Sequence, residues 1–513
     1  MQRKMEDSLK KRYLYKLSTN IISAGIYMIT QIVVPRALGP RSYGDFNFLS
    51  NFFSQIINFL DMGTSTCFYT KLSQRQKESE LVLFYMFFAG VVSLAVFVFV
   101  VVSQLTGVYS RFWPAQHMLF VYYGALFGIL MWVVQILNRV TDAYGITVSS
   151  EKARIAQRLA GLIIILTLFG MNRLNLNSFF FYNYFVLIAL GIAFVWIIHK
   201  SGFLDINKLG ISMVAIKQYV GEFYHYSHPL FMYSLVALLI GVFDRWLLQI
   251  YGGSVQQGYF GLSFQIGAFC FLFTSAMTPL LMREFSILSG ENNIERMSML
   301  FQRYVPLLCG IITFFSCFVA IEADKIIYVF GGDKYRDAFY AVAIMSFFPI
   351  HQTYEHISSS MFYATGQTVI YRNIGIVVML IGLPVTYCFI APKERFGINA
   401  GATGLALKMV LLQFIGANIG LYFNTRFLRL RYGKYFLLQF ACIGYFLVLA
   451  FFARESVKHY LIPAGNIFVS FIASGLLYTV LVIIFVWLTP FIVGLRRADI
   501  SDMVKLAVKK NSN

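Results

Sequence analysis

The sequence predicts an all-α polytopic membrane protein with about fourteen transmembrane helices, built as two pseudo-symmetric six-helix bundles and a C-terminal helix pair. Three observations predict this fold. Of the 513 residues, 58% are hydrophobic and only 13% are charged, whereas soluble domains carry about 25% charged residues. The apolar residues collect into runs of roughly 20, the length of helix that crosses a bilayer. Short motifs of the first half also recur, in the same order, in the second half.

The predicted spans are apolar runs separated by short polar breaks, and each has a length that suits a helical crossing. The first follows the basic segment Met1–Lys16 and has no small-residue cleavage site, so it is predicted to remain as an uncleaved span. The second and fifth runs are the most polar or the shortest. In chain order the runs are Leu17–Val34, Gly44–Leu60, Leu81–Ser103, Met118–Leu137, Ile155–Gly170, Ser178–Ile198, Pro229–Ile250, Gly258–Leu281, Tyr304–Ile321, Phe339–Tyr363, Ile374–Ile390, Gly401–Phe423, Phe436–Phe452 and Ile467–Leu488.

The positive charge is distributed as in a membrane protein rather than as in a nucleic-acid-binding protein. The net charge is +19, but Lys and Arg lie between apolar runs and are most frequent in alternate loops. The positive-inside rule assigns those loops to the cytoplasm. We therefore predict an inner-membrane protein with both termini cytoplasmic and no nucleic-acid partner. The strongest cytoplasmic anchors are Arg426, Arg429, Arg431 and Lys434 in one loop and Arg496, Arg497, Lys505, Lys509 and Lys510 in the tail.

An internal repeat predicts that the two halves have the same fold and the same orientation. The segment Leu38–Phe46, which opens the second span, corresponds to Gly252–Phe260, which opens the eighth, and Asp142–Gly145 corresponds likewise to Tyr363–Gly366. Because six spans separate the copies, the halves should be related by an axis along the membrane normal, with a cleft between two bundles. The predicted regions are an N-terminal bundle (1–199), a cytoplasmic linker (200–228), a C-terminal bundle (229–425) and two further helices with a basic tail (426–513).

Lys408 is the strongest candidate for a functional side chain inside the membrane. It lies about nine residues into a span entered from outside, where a charge costs about 2.5–3.5 kcal/mol on insertion scales. Gly401 and Gly404 share its helix face at i, i+3 and i+7 spacing, and small residues mark a packed face. We therefore expect Lys408 to point inward, either as a cationic contact for an anionic substrate or as one half of a structural ion pair.

Two other spans contribute further ionisable candidate residues. Asp244 and Arg245 are adjacent in the seventh span, so their side chains project about 100° apart and need different partners. Arg245 is a candidate substrate contact unless it extends to the outer interface, and Asp244 is a candidate for ion coupling. In the tenth span His351 and Glu355 lie on one polar stripe, which cannot face lipid cheaply. The stripe predicts a substrate contact at His351 and a titratable coupling carboxylate at Glu355, with an interhelical hydrogen-bond network as the alternative.

The sequence carries no local signature of an enzyme, a cofactor or a metal site. Walker A, HExxH, GxSxG and EF-hand patterns do not occur, so neither nucleotide hydrolysis nor hydrolytic chemistry is indicated. The six cysteines lie in apolar stretches without metal-type spacing, and we expect them to be core residues rather than disulfides or ligands. We predict no enzyme activity, no cofactor and no metal, so transport would have to use an H⁺ or Na⁺ gradient, the membrane potential or consumption of the product.

Several short motifs stand at span ends: Arg36–Pro40 with Tyr43-Gly44, Leu60–Gly63, Phe243–Arg245 with Gly258-Tyr259, and Gly401–Gly404. Together they resemble those of the Wzx oligosaccharide flippases of the polysaccharide biosynthesis family, in the multidrug/oligosaccharidyl-lipid/polysaccharide exporter superfamily. The resemblance covers roughly residues 10–425. The C-terminal pair Phe436–Leu488 resembles that of fourteen-span relatives such as the lipid II flippases.

This resemblance implies two bundles that rock about a central cavity and carry an undecaprenyl-pyrophosphate-linked oligosaccharide across the membrane. The product would serve O-antigen, capsule or exopolysaccharide assembly, and membrane lipids, a polysaccharide polymerase and chain-length proteins would be partners. Arg36 and Asp61 belong to the family-like motifs, and they are further candidates for substrate contact and ion coupling respectively. Their places at opposite membrane faces also suit a structural role.

Two alternatives to a flippase remain open. An ion-coupled drug or metabolite exporter of the same superfamily would have the same two-bundle architecture, although Lys408 suits an anionic substrate better than a cationic drug. A membrane polymerase or ligase of the polysaccharide pathway ranks third. Such enzymes usually carry large outer loops, whereas the longest predicted outer loop here is Glu322–Ala338.

Overall fold

The computed structural model describes residues 9–75, 78–203, 213–228, 231–271, 277–461 and 466–494. Within these ranges the regular secondary structure is helical and contains no β-strand, which confirms the all-α fold. Eleven helices of this part of the chain are long and apolar enough to cross a membrane. A multi-pass membrane protein is therefore confirmed, whereas the count of fourteen spans stays a prediction. The predicted basic tail and the middle of the predicted linker lie outside the described residues.

The chain forms two compact units, Met1–Gly258 and Tyr259–Asn513. The described part of the first contains eight helices and the larger part of a ninth, which ends in the second unit. In chain order they are α1 (Leu9–Asp61), α2 (Thr64–Gln74), α3 (Ser79–Leu105), α4 (Tyr109–Phe112), α5 (Met118–Ala143), α6 (Thr147–Gly170), α7 (Leu176–Ser201), α8 (Met213–Ser227) and α9 (Phe231–Cys270).

The second unit contains the remaining described helices. They are α10 (Thr278–Gly290), α11 (Ile294–Ile321), α12 (Ala323–Gly331), α13 (Phe339–Met345), α14 (Phe348–Ala364), α15 (Thr368–Ile390), α16 (Gly401–Phe427), α17 (Tyr432–Ser456) and α18 (Ile467–Leu488). Short 3-10 turns occur at Asp333–Ala338, Lys393–Arg395 and Pro490–Val493. The domain boundaries predicted from the sequence stay a prediction.

The helix α1 contains the first two predicted spans, and α9 contains most of the seventh and the first half of the eighth. They are 53 and 40 residues long, and each is interrupted by one glycine with non-helical backbone angles: Gly39 (φ 70°, ψ 172°) in α1 and Gly253 (φ 68°, ψ −174°) in α9. Positive φ values favour glycine, because it has no Cβ. The predicted repeat is therefore present as a matched backbone conformation. The corresponding pair Gly145 and Gly366 also has positive φ, 73° and 71°.

Several helix boundaries differ from the predicted spans. The helix of the fifth span begins at Thr147 rather than Ile155, and that of the ninth begins at Ile294 rather than Tyr304. Backbone hydrogen bonding continues through polar residues beyond the hydrocarbon edge, so an apolar run marks only the buried part of a helix. The tenth span is divided into α13 and α14 around Ser346 and Phe347. The eighth was predicted to reach Leu281, but α9 ends at Cys270, and residues 272–276 lie outside the described ranges.

The six cysteines are free thiols, of which five are buried and one is exposed. The exposed one is Cys388, near the end of α15, so the prediction that all six are core residues is wrong at this position. An apolar run predicts that a residue lies in a helix of this kind, but it does not distinguish the packed face from the exposed one.

The helix α8 packs on the first unit beside α2 and α3. The Glu222 carboxylate lies 3.3 Å from Lys71 Nζ and 3.2 Å from Arg75 Nη2. Behind this ion pair, the Phe223 ring lies 5.6 Å from that of Phe84 and 5.7 Å from that of Tyr85. The polar and apolar sides of α8 therefore both have partners on the first unit.

Candidate functional site

The helix α1 is interrupted at Gly39 and α9 at Gly253, and we call these two interruptions the glycine reversals. The segments that follow them contact each other within the first unit. A Cβ atom placed on Gly44 would lie 1.7 Å from the carbonyl oxygen of Ser254, and one placed on Gly258 would lie 2.0 Å from that of Pro40. Real Cβ atoms do not approach oxygen so closely. The crossing therefore requires glycine at Gly44 and Gly258, which occupy equivalent positions in the two repeat motifs.

Each reversal is bridged by a side-chain hydrogen bond at the same place in the repeat. Tyr43 Oη donates to Gln31 Oε1 at 3.0 Å, and Arg245 Nη1 donates to Gln257 Oε1 at 3.1 Å. Both pairs are separated by 12 residues, which on a straight helix is about 18 Å. A single offset of 214 residues carries Gln31 to Arg245 and Tyr43 to Gln257. The repeat thus places an arginine in the second copy where the first has a glutamine.

Arg245 is half-buried and is oriented by Gln257, which is fully buried. Gln257 Nε2 also donates a short hydrogen bond to the carbonyl oxygen of Arg245. Arg245 lies near the Asp244 carboxylate and the Tyr43 hydroxyl. Asp244 is also half-buried. The predicted residue Arg245 therefore has a defined position inside the first unit.

A layer of amides surrounds the crossing. Gln116 Nε2 donates to Asp45 Oδ1 at 2.7 Å and to Ser254 Oγ at 3.3 Å. Gln249 Nε2 donates to the same Ser254 hydroxyl at 3.1 Å and to the Pro114 carbonyl oxygen at 3.1 Å. These bonds connect three parts of the chain: α1, α9 and the segment that precedes α5. They therefore fix the backbone that carries Arg245.

A second arginine, Arg158, lies at the other end of a polar chain that starts at Arg245. Its guanidinium lies near the hydroxyl groups of Tyr27 and Tyr182. The Tyr27 hydroxyl also lies near the side chain of Gln31, which accepts a hydrogen bond from Tyr43. The interior of the first unit therefore contains two half-buried arginines connected through Tyr27, Gln31 and Tyr43. We call these five residues the arginine track.

Arg158 is a functional candidate that the sequence analysis missed. It is the twelfth residue of α6, which begins at Thr147, and the fourth residue of the predicted apolar run Ile155–Gly170. Closer to the start of α6, Arg154 lies 3.3 Å from the fully buried carboxylate of Glu151. Arg158 therefore stands near one end of the apolar run, whereas Lys408 lies deeper in its own span.

Asp61 accepts four hydrogen bonds at the junction of α1 and α2. Its carboxylate binds Thr64 Oγ1 at 3.0 Å, Ser65 N at 3.1 Å, Ser65 Oγ at 2.7 Å and Tyr85 Oη at 2.9 Å. This pattern resembles an N-terminal cap and fits the structural alternative. Ion coupling by Asp61 stays a prediction. The other motif residue, Arg36, is half-buried on α1 shortly before Gly39.

Lys408 is 3% exposed and lies between α16 and α15. A Cβ on Gly382 of α15 would lie 3.3 Å from Lys408 Cε and 3.5 Å from its Nζ. Gly404, one turn earlier on α16, faces the same helix, because its Cβ would lie 3.0 Å from the Phe389 carbonyl oxygen. Gly404 and Lys408 therefore share the face predicted for them.

His351 belongs to a polar network that joins α14, α16 and α17. It is 6% exposed and lies near the side chain of Gln439. Gln439 Nε2 donates to Asn418 Oδ1 at 2.9 Å, and Tyr432 Oη donates to the same oxygen at 3.3 Å. Gln439 and Tyr432 belong to α17, the first helix of the C-terminal pair. The network therefore fastens that pair to the second unit.

Glu355 contacts a different neighbour from His351. Its Oε1 accepts a 2.6 Å hydrogen bond from Tyr371 Oη of α15, and its Oε2 lies 3.8 Å from His356 Nε2. The predicted polar stripe thus divides, with His351 toward α17 and Glu355 toward α15. The predicted residues lie in two sets: Arg36, Asp61, Asp244 and Arg245 in the first unit, and His351, Glu355 and Lys408 in the second.

The profile of the polysaccharide biosynthesis protein family matches residues 9–280, which is more than half of the chain. The chain belongs to this family. No curated protein is significantly similar to it in sequence. The predicted family is thereby confirmed at this level.

Two solved structures share the fold of this polysaccharide biosynthesis family member. Lipid II flippase MurJ in an inward closed conformation has a TM-score of 0.64 and 13% sequence identity, with 93% of this chain and 98% of that chain covered. An inward-facing multidrug resistance MATE family transporter of the MOP superfamily has a TM-score of 0.61 and 14% identity, with 80% and 94% covered. At these identities the likeness establishes the polytopic fold alone.

Proposed function

We propose that the chain is a flippase that moves an undecaprenyl-pyrophosphate-linked oligosaccharide across the cytoplasmic membrane by alternating access, for assembly of a surface polysaccharide. The observation that carries the proposal is the arginine track, with Arg158 and Arg245 at its ends. Ionisable residues in membrane-spanning helices are costly and mark substrate and ion pathways by default. Family membership supports a role in polysaccharide biosynthesis.

The chemistry of the arginine track fits a pyrophosphate headgroup. Guanidinium presents several N–H donors in a planar fork that matches phosphate oxygens, and its charge is retained in the membrane. Tyrosine hydroxyls and glutamine amides offer donors and acceptors of the kind that sugar hydroxyls need. A low dielectric strengthens the attraction of arginine for phosphate. We therefore infer an anionic, sugar-bearing substrate rather than a cationic one.

The other predicted residues take the following places in this proposal. Arg245, Arg36, Lys408 and His351 contact the substrate, and Glu355, Asp244 and Asp61 are candidates for coupling to H⁺ or Na⁺. The protein lies in the inner membrane with both termini cytoplasmic, among membrane lipids, and works without a cofactor or a metal and without catalysing a reaction. A polysaccharide polymerase and chain-length proteins consume its product.

Reconstitution in liposomes tests the proposal. Purified protein is mixed with a fluorescent undecaprenyl-pyrophosphate-linked oligosaccharide, and exposure in the outer leaflet is followed with and without a proton gradient. We expect flipping by the wild type and a loss of at least tenfold in Arg158→Ala and Arg245→Ala. The matched control is Arg173→Ala, which removes an exposed arginine between α6 and α7 and should flip normally. Absence of flipping by folded wild-type protein would contradict the proposal.

An ion-coupled drug or metabolite exporter is the second candidate, because the MATE family transporter has a similar fold. The same liposomes distinguish the two candidates. Uptake of a fluorescent cationic drug that depends on the gradient and is abolished in Glu355→Gln, without flipping of the lipid-linked substrate, would favour the exporter.

A further inference from the structure

The second unit carries a cavity of about 620 Å³ on its predicted outer face. This volume lies within the range of about 300–1,000 Å³ that is typical of small-ligand sites. Its walls come from α12, the 3-10 turn Asp333–Ala338, α13 and the first residue of α18, Ile467. The cavity is therefore built within one compact unit, and it contains none of the residues assigned above to substrate transport.

We propose that this cavity binds saccharide, and that it prefers neutral sugars to acidic ones. The inference rests on the proposed function for its choice of a sugar ligand, and it adds a second contact for the sugar portion on the outer side. The cavity has ordered walls, aromatic rings and a net negative charge, and these three features suit a neutral sugar.

The turn that forms one wall is held in a fixed conformation. Gly332 has φ 69°, which starts the turn, and the next aromatic residue, Tyr335, is fully buried and anchors it. In a 3-10 helix the side chains at i and i+3 eclipse. Asp333 and Arg336 have this spacing and both line the cavity, whereas Lys334 between them does not. An ordered turn thus presents a carboxylate and a guanidinium side by side.

The charged residues that α12 contributes to the cavity, Asp324 and Lys325, are already paired. Lys325 Nζ lies 2.7 Å from the buried Glu322 carboxylate, and Asp324 lies 2.8 Å from Arg454 Nη2. Lys325 also donates to Ser474 Oγ of α18 at 3.4 Å. These contacts join α12, α17 and α18, so they stabilise the cavity rather than supply free charge to a ligand.

The remaining charges favour a neutral ligand. Asp333 and Arg336 have no ion pair among the described residues, and Asp337 Oδ2 accepts a 3.5 Å hydrogen bond from Tyr259. Two carboxylates and one guanidinium leave a net negative charge, which repels an acidic sugar. Carboxylates accept hydrogen bonds from sugar hydroxyls, and guanidinium donates to hydroxyl or ring oxygens, so a neutral saccharide can use both.

Aromatic rings complete the chemistry. Tyr340 is 67% exposed, although it lines the cavity, and Phe339 beside it is half-buried. A pyranose ring has apolar C–H faces, which pack on exposed aromatic rings while its hydroxyls bind polar groups at the edge. Tyrosine of the interfacial belt also reaches lipid headgroups, so a headgroup is the competing occupant that the test must distinguish.

Saturation-transfer NMR on the full chain in lipid nanodiscs tests the inference. The probes are soluble, lipid-free trisaccharides of neutral hexose, N-acetylhexosamine and 6-deoxyhexose units, with a uronic-acid trisaccharide for comparison. We expect saturation of at least one neutral probe, a signal from the uronic-acid probe at least fivefold weaker, and a loss of at least fivefold in Tyr340→Ala and Arg336→Ala. Two controls should leave the signal unchanged. Lys334→Ala alters the same turn outside the cavity, and Phe396→Ala removes an exposed ring on another outer loop.

Four results would overturn the inference: no neutral probe is saturated, the signal persists in Tyr340→Ala, it falls equally in Lys334→Ala, or glycerophosphoglycerol alone gives the Tyr340-dependent signal. The last result would assign the cavity to lipid headgroups. Liposome flipping measured on the same wild-type preparation separates the two proposals. Sugar binding with the expected variant pattern but without flipping would support this inference and contradict the proposed function.

Discussion

Arg245 and Gln257, twelve residues apart in α9, exchange two hydrogen bonds across the reversal at Gly253. The equivalent residues of the first repeat, Gln31 and Tyr43, form one hydrogen bond across the reversal at Gly39. Both copies of the repeat therefore have a side-chain hydrogen bond across the reversal, but only in the second copy is the donor a charged group. Hydrogen bonds to charged groups contribute about 1.5–3 kcal/mol, against about 0.5–1.5 kcal/mol for neutral ones.

This asymmetry predicts unequal effects of removing the two bridges. Gln257→Met keeps the side-chain volume but removes the acceptor of Arg245, whereas Tyr43→Phe removes only a hydroxyl. We expect Gln257→Met to lower the free energy of unfolding in detergent by more than Tyr43→Phe, and to reduce flipping as Arg245→Met does. A double-mutant cycle of Arg245→Met and Gln257→Met should give a coupling energy above about 0.5 kcal/mol. Additive effects would show that the bridge does not orient Arg245.

The crossing of α1 and α9 predicts that two glycines cannot be replaced. Alanine at Gly44 or Gly258 would place a Cβ within 1.7 or 2.0 Å of a backbone oxygen, and backbone atoms cannot move aside as a flexible side chain does. We expect a loss of about 1–3 kcal/mol or more for each substitution, measured as a lower melting temperature and lower yield of inserted protein. The matched control is Gly90→Ala in α3, where the Cβ meets nothing within 4 Å. There we expect unchanged or slightly higher stability.

The repeat could be predicted from these glycines because close backbone contact and positive φ both require glycine, and glycine is recognisable in the sequence. It predicted the burial of Lys408 because a charge inside an apolar run has few favourable positions. It could not predict the bond between Arg245 and Gln257, since contacts across a reversal depend on its geometry rather than on spacing. Arg158 was missed for a different reason. It stands at the polar end of the fifth apolar run, where basic residues are common, and its neighbours Tyr27 and Tyr182 come from other helices.

The docking of α8 on the first unit should weaken in acid. Burial raises the pKa of Glu222, but hydrogen bonds from Gln218, Lys71 and Arg75 together outweigh it, so the pKa lies below its ordinary value of 4.5. A lowered pKa contributes stability that is fully present above pH 4.5 and is lost as the pH falls through the folded pKa. We expect hydrogen exchange of α8 to be unchanged between pH 7 and pH 5 after correction for intrinsic rates, and to increase below about pH 4.

Two comparisons make the α8 prediction specific. Glu222→Gln should increase exchange at pH 7, by an amount that reflects about 0.2–1 kcal/mol for a partly exposed ion pair. Glu291→Gln, which changes an exposed carboxylate between α10 and α11, should have no effect on α8. High salt should reproduce part of the Glu222→Gln effect. Equal protection of α8 in wild type and Glu222→Gln at pH 7 would show that its aromatic contacts alone hold it.

The predicted topology can be tested by cysteine labelling in intact cells. The background must be Cys388→Ser, because Cys388 is the exposed member of the native cysteines. We expect an impermeant maleimide to label a cysteine at Asp333 and not one at Lys434, since the basic loop at Lys434 should be cytoplasmic. Permeabilised cells provide the control, in which both positions should react. The reverse pattern would place the cavity at Asp333–Ala338 on the cytoplasmic side.

Lys408 provides the sharpest test of substrate attraction, because its burial permits two opposite roles. Its ammonium lies against Gly382 of α15, with 3% of the residue exposed. If the charge attracts the substrate headgroup, Lys408→Met should reduce flipping per inserted molecule at least tenfold and leave the melting temperature nearly unchanged. Lys408→Arg should then retain part of the activity, because it keeps the charge but not the compact shape. If Lys408 instead holds a buried ion pair, Lys408→Met should cost about 3–5 kcal/mol of stability, and yield should fall together with transport.

Gly382→Ala serves as the companion variant, because a methyl group 3.5 Å from Nζ fills space beside the ammonium without removing its charge. Normal flipping in Lys408→Met would exclude a substrate contact, and lost flipping with a much lower melting temperature would favour the structural role.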